Sequence, residues 1–183
     1  MTATKTRKKG RHKAITVAKD VLKTLRGFSL TQNTYLNGKG WSRPPLLNVE
    51  DPTENDVKAH AVLLMKKCNV CLLGACFLSF AKVHDGETAK TQFTNGRWSR
   101  DGIVDTLTAS GGFAAEDLNL IEDAFQAADP DVFTDNYGVT ALEKRAIAFG
   151  MQFKSPHKCV EAVMKNVIKN KGRFVPPKIK KGR

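Results

Sequence analysis

The sequence predicts a mainly α-helical protein, a compact bundle of about six or seven helices with a basic arm at each end. Two observations support this fold class. Apolar residues recur at helical spacing between helix start and stop signals, and no segment alternates convincingly as a β-strand does. A chain of 183 residues, 41% of them hydrophobic, can bury one core. We expect a single helical domain at residues 14–172, between arms at residues 1–13 and 173–183.

The first half of the predicted domain contains two helices separated by a long loop. Residues 14–26 carry apolar side chains at helical spacing and predict the first helix. Residues 28–50 contain Asn-Gly and Pro-Pro pairs, which are typical of loops. The sequence DPTE that follows combines an N-cap acid, Asp51, with Pro and Glu in the first helical turn. It predicts a second helix that runs to Met65.

A dense apolar run predicts the helix at the centre of the fold. The sequence CNVCLLGACFLSFA, beginning at Cys68, is apolar around most of its circumference and should be surrounded by protein. Glycine is unfavourable inside a helix, so Gly74 predicts that a neighbouring helix crosses closely there. Residues 88–98 include Asn95-Gly96 and predict a loop or a poor hairpin.

Four helices are predicted in the second half, at residues 99–110, 115–128, 140–150 and 155–172. Ser99 and the Thr140 capping box mark two of their starts, and Ser155-Pro156 marks the start of the last. The last helix has an apolar stripe on one face and lysines on the other. These lysines are Lys158, Lys165, Lys169 and Lys171.

The formal net charge of +12 is concentrated at the two ends of the chain. Residues 1–13 contain six Lys or Arg and residues 165–183 contain eight more, with no Asp or Glu in either segment. Removing these fourteen from the total of 30 leaves 16 basic residues against all 18 acidic ones, a net charge of −2 for residues 14–164. Basic segments of this kind bind phosphate backbones by releasing condensed counterions, which favours a nucleic-acid or ribonucleoprotein partner.

We predict that the basic residues of both ends contact nucleic-acid phosphates. They are Lys5, Arg7, Lys8, Lys9, Arg11, Lys13, Lys165, Lys169, Lys171, Arg173, Lys178, Lys180, Lys181 and Arg183. Two alternatives remain open: the ends could aid solubility or bind anionic surfaces non-specifically, and KTRKKGRHK could be a nuclear localisation signal in a eukaryotic host. Pro176-Pro177 favours an extended spacer that holds the last cations away from the domain. Phe174, just before it, either stacks on a base or caps the last helix.

Both tryptophans lie in the same tripeptide, Trp-Ser-Arg. Trp41 with Arg43 and Trp98 with Arg100 each follow an Asn-Gly pair and place an aromatic ring beside cations. Such a ring can stack on a base while the cation binds phosphate. The alternative is that these loop tryptophans pack back onto the core.

Catalytic and metal-binding patterns are weak. Cys68 and Cys71 have the spacing of half a zinc site that His157 and Cys159 could complete, but a dithiol inside an apolar helix usually packs as small hydrophobic groups. The histidines are scattered and no glycine-rich nucleotide loop follows a strand. We therefore expect no metal, no cofactor and no enzymatic activity, and cysteines that stay reduced.

No apolar run reaches the length of a membrane span, and no secretory signal precedes the first helix. We therefore expect a cytoplasmic protein without membrane contact.

Four motifs of the sequence carry a resemblance to other proteins. They are Gly40-Trp41, Cys71-Leu-Leu-Gly74-Ala75-Cys76, Leu120-Ile121-Glu122-Asp123-Ala124-Phe125, and the segment from Met164 to Phe174. In them the chain resembles an uncharacterised group of small bacterial and bacteriophage proteins built around a Trp…CxxGA core. The resemblance implies a compact helical domain and a bacterial or phage setting, and it transfers no functional residue.

These observations lead to two hypotheses of function. The first is a non-enzymatic protein that holds nucleic acid or a ribonucleoprotein by its phosphate backbone through the basic ends. The alternative is a phage-encoded inhibitor or adaptor whose helical body binds a host protein, such as a nucleic-acid-handling or defence complex, while the ends steer association.

Overall fold

The computed structural model describes residues 3–32, 34–39, 43–84, 86–96, 98–128 and 140–178, with the backbone alone described at residues 3–10. Over these ranges the protein is mainly α-helical, as predicted, with eight α-helices and a small three-stranded sheet. The helices are α1 (Ala3–Thr24), α2 (Glu54–Lys67), α3 (Leu72–Val83), α4 (Glu87–Asn95), α5 (Arg100–Ala109), α6 (Ala115–Gln126), α7 (Ala141–Gly150) and α8 (Pro156–Lys169). The strands are β1 (Ser29–Leu30), β2 (Leu36–Gly38) and β3 (Cys68–Val70), and a short 3₁₀ turn occupies Leu25–Gly27.

Helix α3 forms the centre of the fold. Every residue from Leu72 to Ala81 is buried, and helices α1, α2, α5 and α6 pack around it. A Cβ atom at Gly74 would lie 1.9 Å from the backbone oxygen of Tyr35, so only glycine allows this contact. The predicted close approach at Gly74 therefore exists, but the neighbour is a loop and not a helix.

Helices α1 and α8 pack side by side and run in opposite directions. The buried face of α1 carries Ala14, Val17, Ala18 and Val21, and that of α8 carries Cys159, Val160, Val163, Met164 and Val167. The Arg11 carbonyl lies against Gly172, just beyond the end of α8, while His157 at the start of α8 contacts the Phe28 carbonyl oxygen through Nε2 at 3.3 Å. The N-terminal half of α1 therefore lies at the C-terminal end of α8.

The sheet was not predicted, and its strand β3 takes the first three residues of the expected central helix. Strand β3 lies between β1, which it pairs in parallel, and β2, which it pairs antiparallel. The backbone of Cys68–Val70 therefore bonds to strands that lie 30 to 40 positions earlier in the chain, where helical spacing gives no signal. Helix α3 begins after Cys71, which is its N-cap. The Sγ atom of Cys71 accepts a hydrogen bond from the Gly74 N–H at 3.4 Å.

Two predicted helix starts and one predicted loop were wrong. The first helix begins at Ala3 and not at residue 14, so the basic N-terminal segment is helical from that point. The N-cap of α2 is Thr53, which forms a capping box with Asp56, whereas Asp51 lies outside the helix. Residues 88–98 are mostly helix α4, because Gly96 serves as a left-handed C-cap with φ of 63° and not as a hairpin turn.

The segment after α8 is docked on the domain, in contrast to the predicted extended spacer. The ring of Phe174 is buried, with its centroid 5.8 Å from that of Phe149 on α7, so the ring packs within the fold and is not free to stack on a base. Asn166 donates to the Val175 carbonyl at 2.8 Å and accepts from the Val175 N–H at 2.9 Å. Arg145 donates to the carbonyl oxygens of Pro176 and Pro177. The C-terminal segment is therefore fixed on α7 and α8 as far as Pro177.

Across the ranges that the structure describes, no helix combines the length and the apolar character needed to cross a bilayer.

Candidate nucleic-acid interface

The two basic ends of the chain meet in the folded protein. Gly172 has a φ of +88°, and a Cβ atom there would lie 2.7 Å from the Arg11 carbonyl oxygen. A side chain at this position would be strained by the backbone angle and would also collide with α1. Glycine thus permits the contact that brings residues 165–173 beside the basic part of α1.

A buried carboxylate lies at the same junction. Asp117 on α6 is almost fully buried, and Arg173 donates to it from Nε at 3.3 Å and from Nη2 at 3.4 Å. Burial raises the pKa of Asp117, while the charges of Arg173 and Arg11 act in the opposite direction. Arg173 therefore compensates a buried charge inside the protein, and Arg11 adds to the same compensation.

The outer face of α8 carries a row of lysines, which we call the α8 row: Lys158, Lys165 and Lys169. All three are exposed, and the 3.6-residue repeat places them opposite the buried stripe. Glu161 interrupts the row and pairs with Lys165. That hydrogen bond, together with the charges of Lys165 and Lys158, lowers the pKa of Glu161. Lys171, just after the helix, is also exposed.

The outer face of α1 carries a second row, the α1 row: His12, Lys19 and Lys23. These residues are exposed and repeat at intervals of seven and four, opposite the buried face. The neighbouring acid, Asp20, is largely buried and paired with Lys82 at 2.7 Å from Nζ to Oδ1. The sequence prediction missed Lys19 and Lys23. The helical spacing of these two lysines relative to the buried face could have identified them. The prediction instead counted charges only at the two ends of the chain, which lie outside their positions.

The antiparallel packing sets the two rows side by side. Residue 11 lies level with residue 172, and residue 28 lies level with residue 157. By this register Lys19 is close to the level of Lys165, and Lys23 lies near the Lys158 end of α8. Eleven residues separate the first and last member of each row, which corresponds to about 16 Å of helix. Packed helices have axes about 8 to 10 Å apart. The result is a cationic surface two rows wide, extended by Lys171 just beyond the α8 row, which we call the α1–α8 surface.

The structure describes the other predicted basic residues to different extents. The backbone of Lys5, Arg7, Lys8 and Lys9 lies in α1. Lys13 is half-buried, and its carbonyl oxygen is 3.3 Å from Nε2 of His84. Lys178 is exposed at the end of the docked segment. Lys180, Lys181 and Arg183 lie outside the described residues.

The predicted tryptophan platform is not assembled by the residues that the structure describes. Trp98 packs in an aromatic cluster, 5.6 Å from Phe93 and 6.2 Å from Phe77 between ring centroids. Arg100 donates from Nε to Glu122 at 2.8 Å and from Nη2 to Asn119 at 2.6 Å. Arg43 is exposed, and Trp41 lies outside the described residues. Trp98 and Arg100 thus make contacts within the fold.

Glu122 is the centre of a polar cluster between α5, α6 and the loop before β2. It accepts hydrogen bonds from the Tyr35 hydroxyl and from Arg100. Partial burial and this bond to a carboxylate raise the pKa of Tyr35. Burial, with Glu143 and Glu122 nearby, raises the pKa of Asp123 to about 6. The cluster holds the Tyr35 loop against α6, next to its close contact with Gly74.

The cysteines are buried thiols. Burial raises the pKa of Cys71 and of Cys159 to about 12 and also raises that of Cys68. Thiols of this kind are poor nucleophiles and poor metal ligands at neutral pH. His157, by contrast, is exposed and bonded to the Phe28 carbonyl. No group of three or more His, Cys, Asp or Glu able to hold a metal ion occurs in the described part of the chain.

Comparison with known proteins gives no match: no family model, no curated protein and no solved structure is significantly similar to this chain. The resemblance to small bacterial and phage proteins therefore stays a prediction from the sequence.

Proposed function

We propose that the protein binds the phosphate backbone of nucleic acid, free or within a ribonucleoprotein, through the α1–α8 surface, and that it has no catalytic activity of its own. The observation that carries the proposal is the junction at Gly172, which joins two cationic helices into one surface. The cytoplasm of a bacterial or phage-infected cell is the setting that we propose for this binding.

The chemistry of the surface supports backbone binding. Six lysines face solvent on it, and Lys165 alone among them has an ion-pair partner within the described ranges. They are Lys19, Lys23, Lys158, Lys165, Lys169 and Lys171. Lysine offers a point charge on a flexible stem, which suits phosphate oxygens and reads base edges poorly. We therefore expect affinity that is sensitive to salt and nearly independent of sequence.

The inhibitor or adaptor alternative has less support. The large apolar side chains found exposed among the described residues are Leu46, Val49, Leu142, Met151 and Val175. On α7, Leu142 and Met151 are nine residues apart and lie on opposite sides of the helix axis. These two side chains therefore do not belong to one apolar patch of the kind that usually marks a protein interface.

Fluorescence-anisotropy titration of labelled DNA and RNA tests the proposal. We expect the triple variant K158Q/K165Q/K169Q to bind about 10- to 100-fold more weakly than the wild type at low salt, because three phosphate contacts are lost. The matched control is K66Q/K67Q/K144Q, which removes three exposed lysines from α2 and α7. Equal losses in both variants, or no binding by the wild type, would contradict the proposal.

A further inference from the structure

We infer that the nucleic acid held by the α1–α8 surface is a duplex, contacted at its phosphates by both rows at once. This inference rests on the proposed function and adds the class of partner to it.

The described part of the α1–α8 surface has almost no group that can stack on a base. Proteins that hold single strands without sequence preference stack successive bases on aromatic side chains. On the two rows as described, the one ring is the imidazole of His12, at the end of the α1 row. Of the aromatic side chains that the sequence offered for stacking, Phe174 and Trp98 pack in the core, and Trp41 lies outside the described residues.

The charges of the α1–α8 surface are arranged in two dimensions. A single strand follows one line, and a binding protein usually surrounds that line with a groove. Here cations lie in two parallel rows, each about 16 Å long, on adjacent helices whose axes are about 8 to 10 Å apart. A duplex presents two strands of phosphates and about one negative charge per 1.7 Å of its axis. It can therefore supply partners to both rows, which one strand cannot do without folding back.

The α1–α8 surface is held in place by the packing beneath it. Both rows are on helices whose buried faces are fully packed, and Gly172 and Asp117 fix the junction between them. A pre-organised surface loses little entropy when it binds a stiff partner. A duplex is stiff over this distance, since its persistence length is about 150 base pairs.

Binding to a 24-base-pair duplex and to each of its single strands, at one salt concentration, tests the inference. We expect the duplex to bind at least about tenfold more tightly than either strand. We also expect K19Q/K23Q and K158Q/K169Q each to weaken duplex binding, because both rows contribute. For the single strands the two variants should differ less from the wild type. Double-stranded RNA of the same sequence shows which helical form is preferred.

The possible failures can be told apart. Single strands that bind as tightly as the duplex, or a duplex affinity unchanged in K19Q/K23Q, would overturn the duplex inference and leave the proposed function standing. No binding to any of these molecules would overturn both. Thermal unfolding of each variant, compared with the wild type, separates lost contacts from lost folding.

Discussion

The cationic side chains of two regions of the molecule differ in whether they have partners within the fold. In the cluster around Glu122, Arg100 donates to Glu122 and Asn119, so its charge is used within the fold. On the α1–α8 surface the lysines point away from the buried faces, and Lys165 alone of the six is paired within the described ranges. A net charge of +12 therefore does not by itself identify a binding surface. What matters is whether a carboxylate lies within reach of each cation.

The largest effect should come from breaking the junction at Gly172. We expect Gly172→Ala to lower the free energy of unfolding by about 2 to 4 kcal/mol, because alanine is strained at positive φ and its Cβ meets the Arg11 carbonyl. Urea denaturation measures this change. Gly27→Ala is the control, since a Cβ atom there has open space around it and should change stability by less than about 1 kcal/mol. Equal stabilities for the two variants would show that the junction is not tight.

The next effect concerns the buried carboxylate of Asp117. Asp117→Asn should destabilise the protein by about 1 to 3 kcal/mol, because the amide nitrogen that replaces one buried carboxylate oxygen faces the donating groups of Arg173 and cannot accept their hydrogen bond. Chemical denaturation again provides the measurement. The adjacent exposed acid gives a matched control, and Glu116→Gln should stay within about 0.5 kcal/mol of the wild type. A neutral Asp117→Asn variant would mean that this pair contributes nothing to the junction.

These two sites also show what the sequence can and cannot predict. The starts of α5, α7 and α8 were predicted because Ser99, Thr140 and Pro156 act through local chemistry. Strand β3 was missed because its partners are distant in the chain. Likewise, no local sequence pattern indicates that residue 11 contacts residue 172. The binding surface depends on that contact, so composition could predict its charge but not its shape.

Asp123, in the Glu122 cluster, should make the stability of the protein depend on pH. The pKa of Asp123 is raised to about 6 from about 3.8, so between these values the folded state binds a proton that the unfolded state has released. This group therefore makes the wild type less stable as pH rises from about 4 to 6. Asp123→Asn lacks the effect, and its stability relative to the wild type should improve across that window. Denaturation at several pH values measures it. With Asp105→Asn, an exposed acid on α5, as control, an identical pH profile for both variants would contradict the assignment.

The smallest effect should come from the one acid in the α8 row. Glu161→Gln frees Lys165 and removes a negative charge, so duplex affinity at low salt should rise about two- to fivefold. Glu54→Gln removes the equivalent partner of Lys58 on α2, a pair with the same spacing. Anisotropy titration should detect the increase for Glu161→Gln alone. An equal rise of affinity in both variants would show that the net charge of the protein, and not the α8 row, sets the affinity.

The salt dependence of duplex binding tests the central claim most directly. If the six lysines of the α1–α8 surface contact phosphates of B-form DNA, a plot of log K against log salt should have a slope of about −5. The slope should become shallower by about 3 in K158Q/K165Q/K169Q and stay unchanged in K66Q/K67Q/K144Q. A flat plot for the wild type, or the same slope in all three proteins, would contradict binding through this surface.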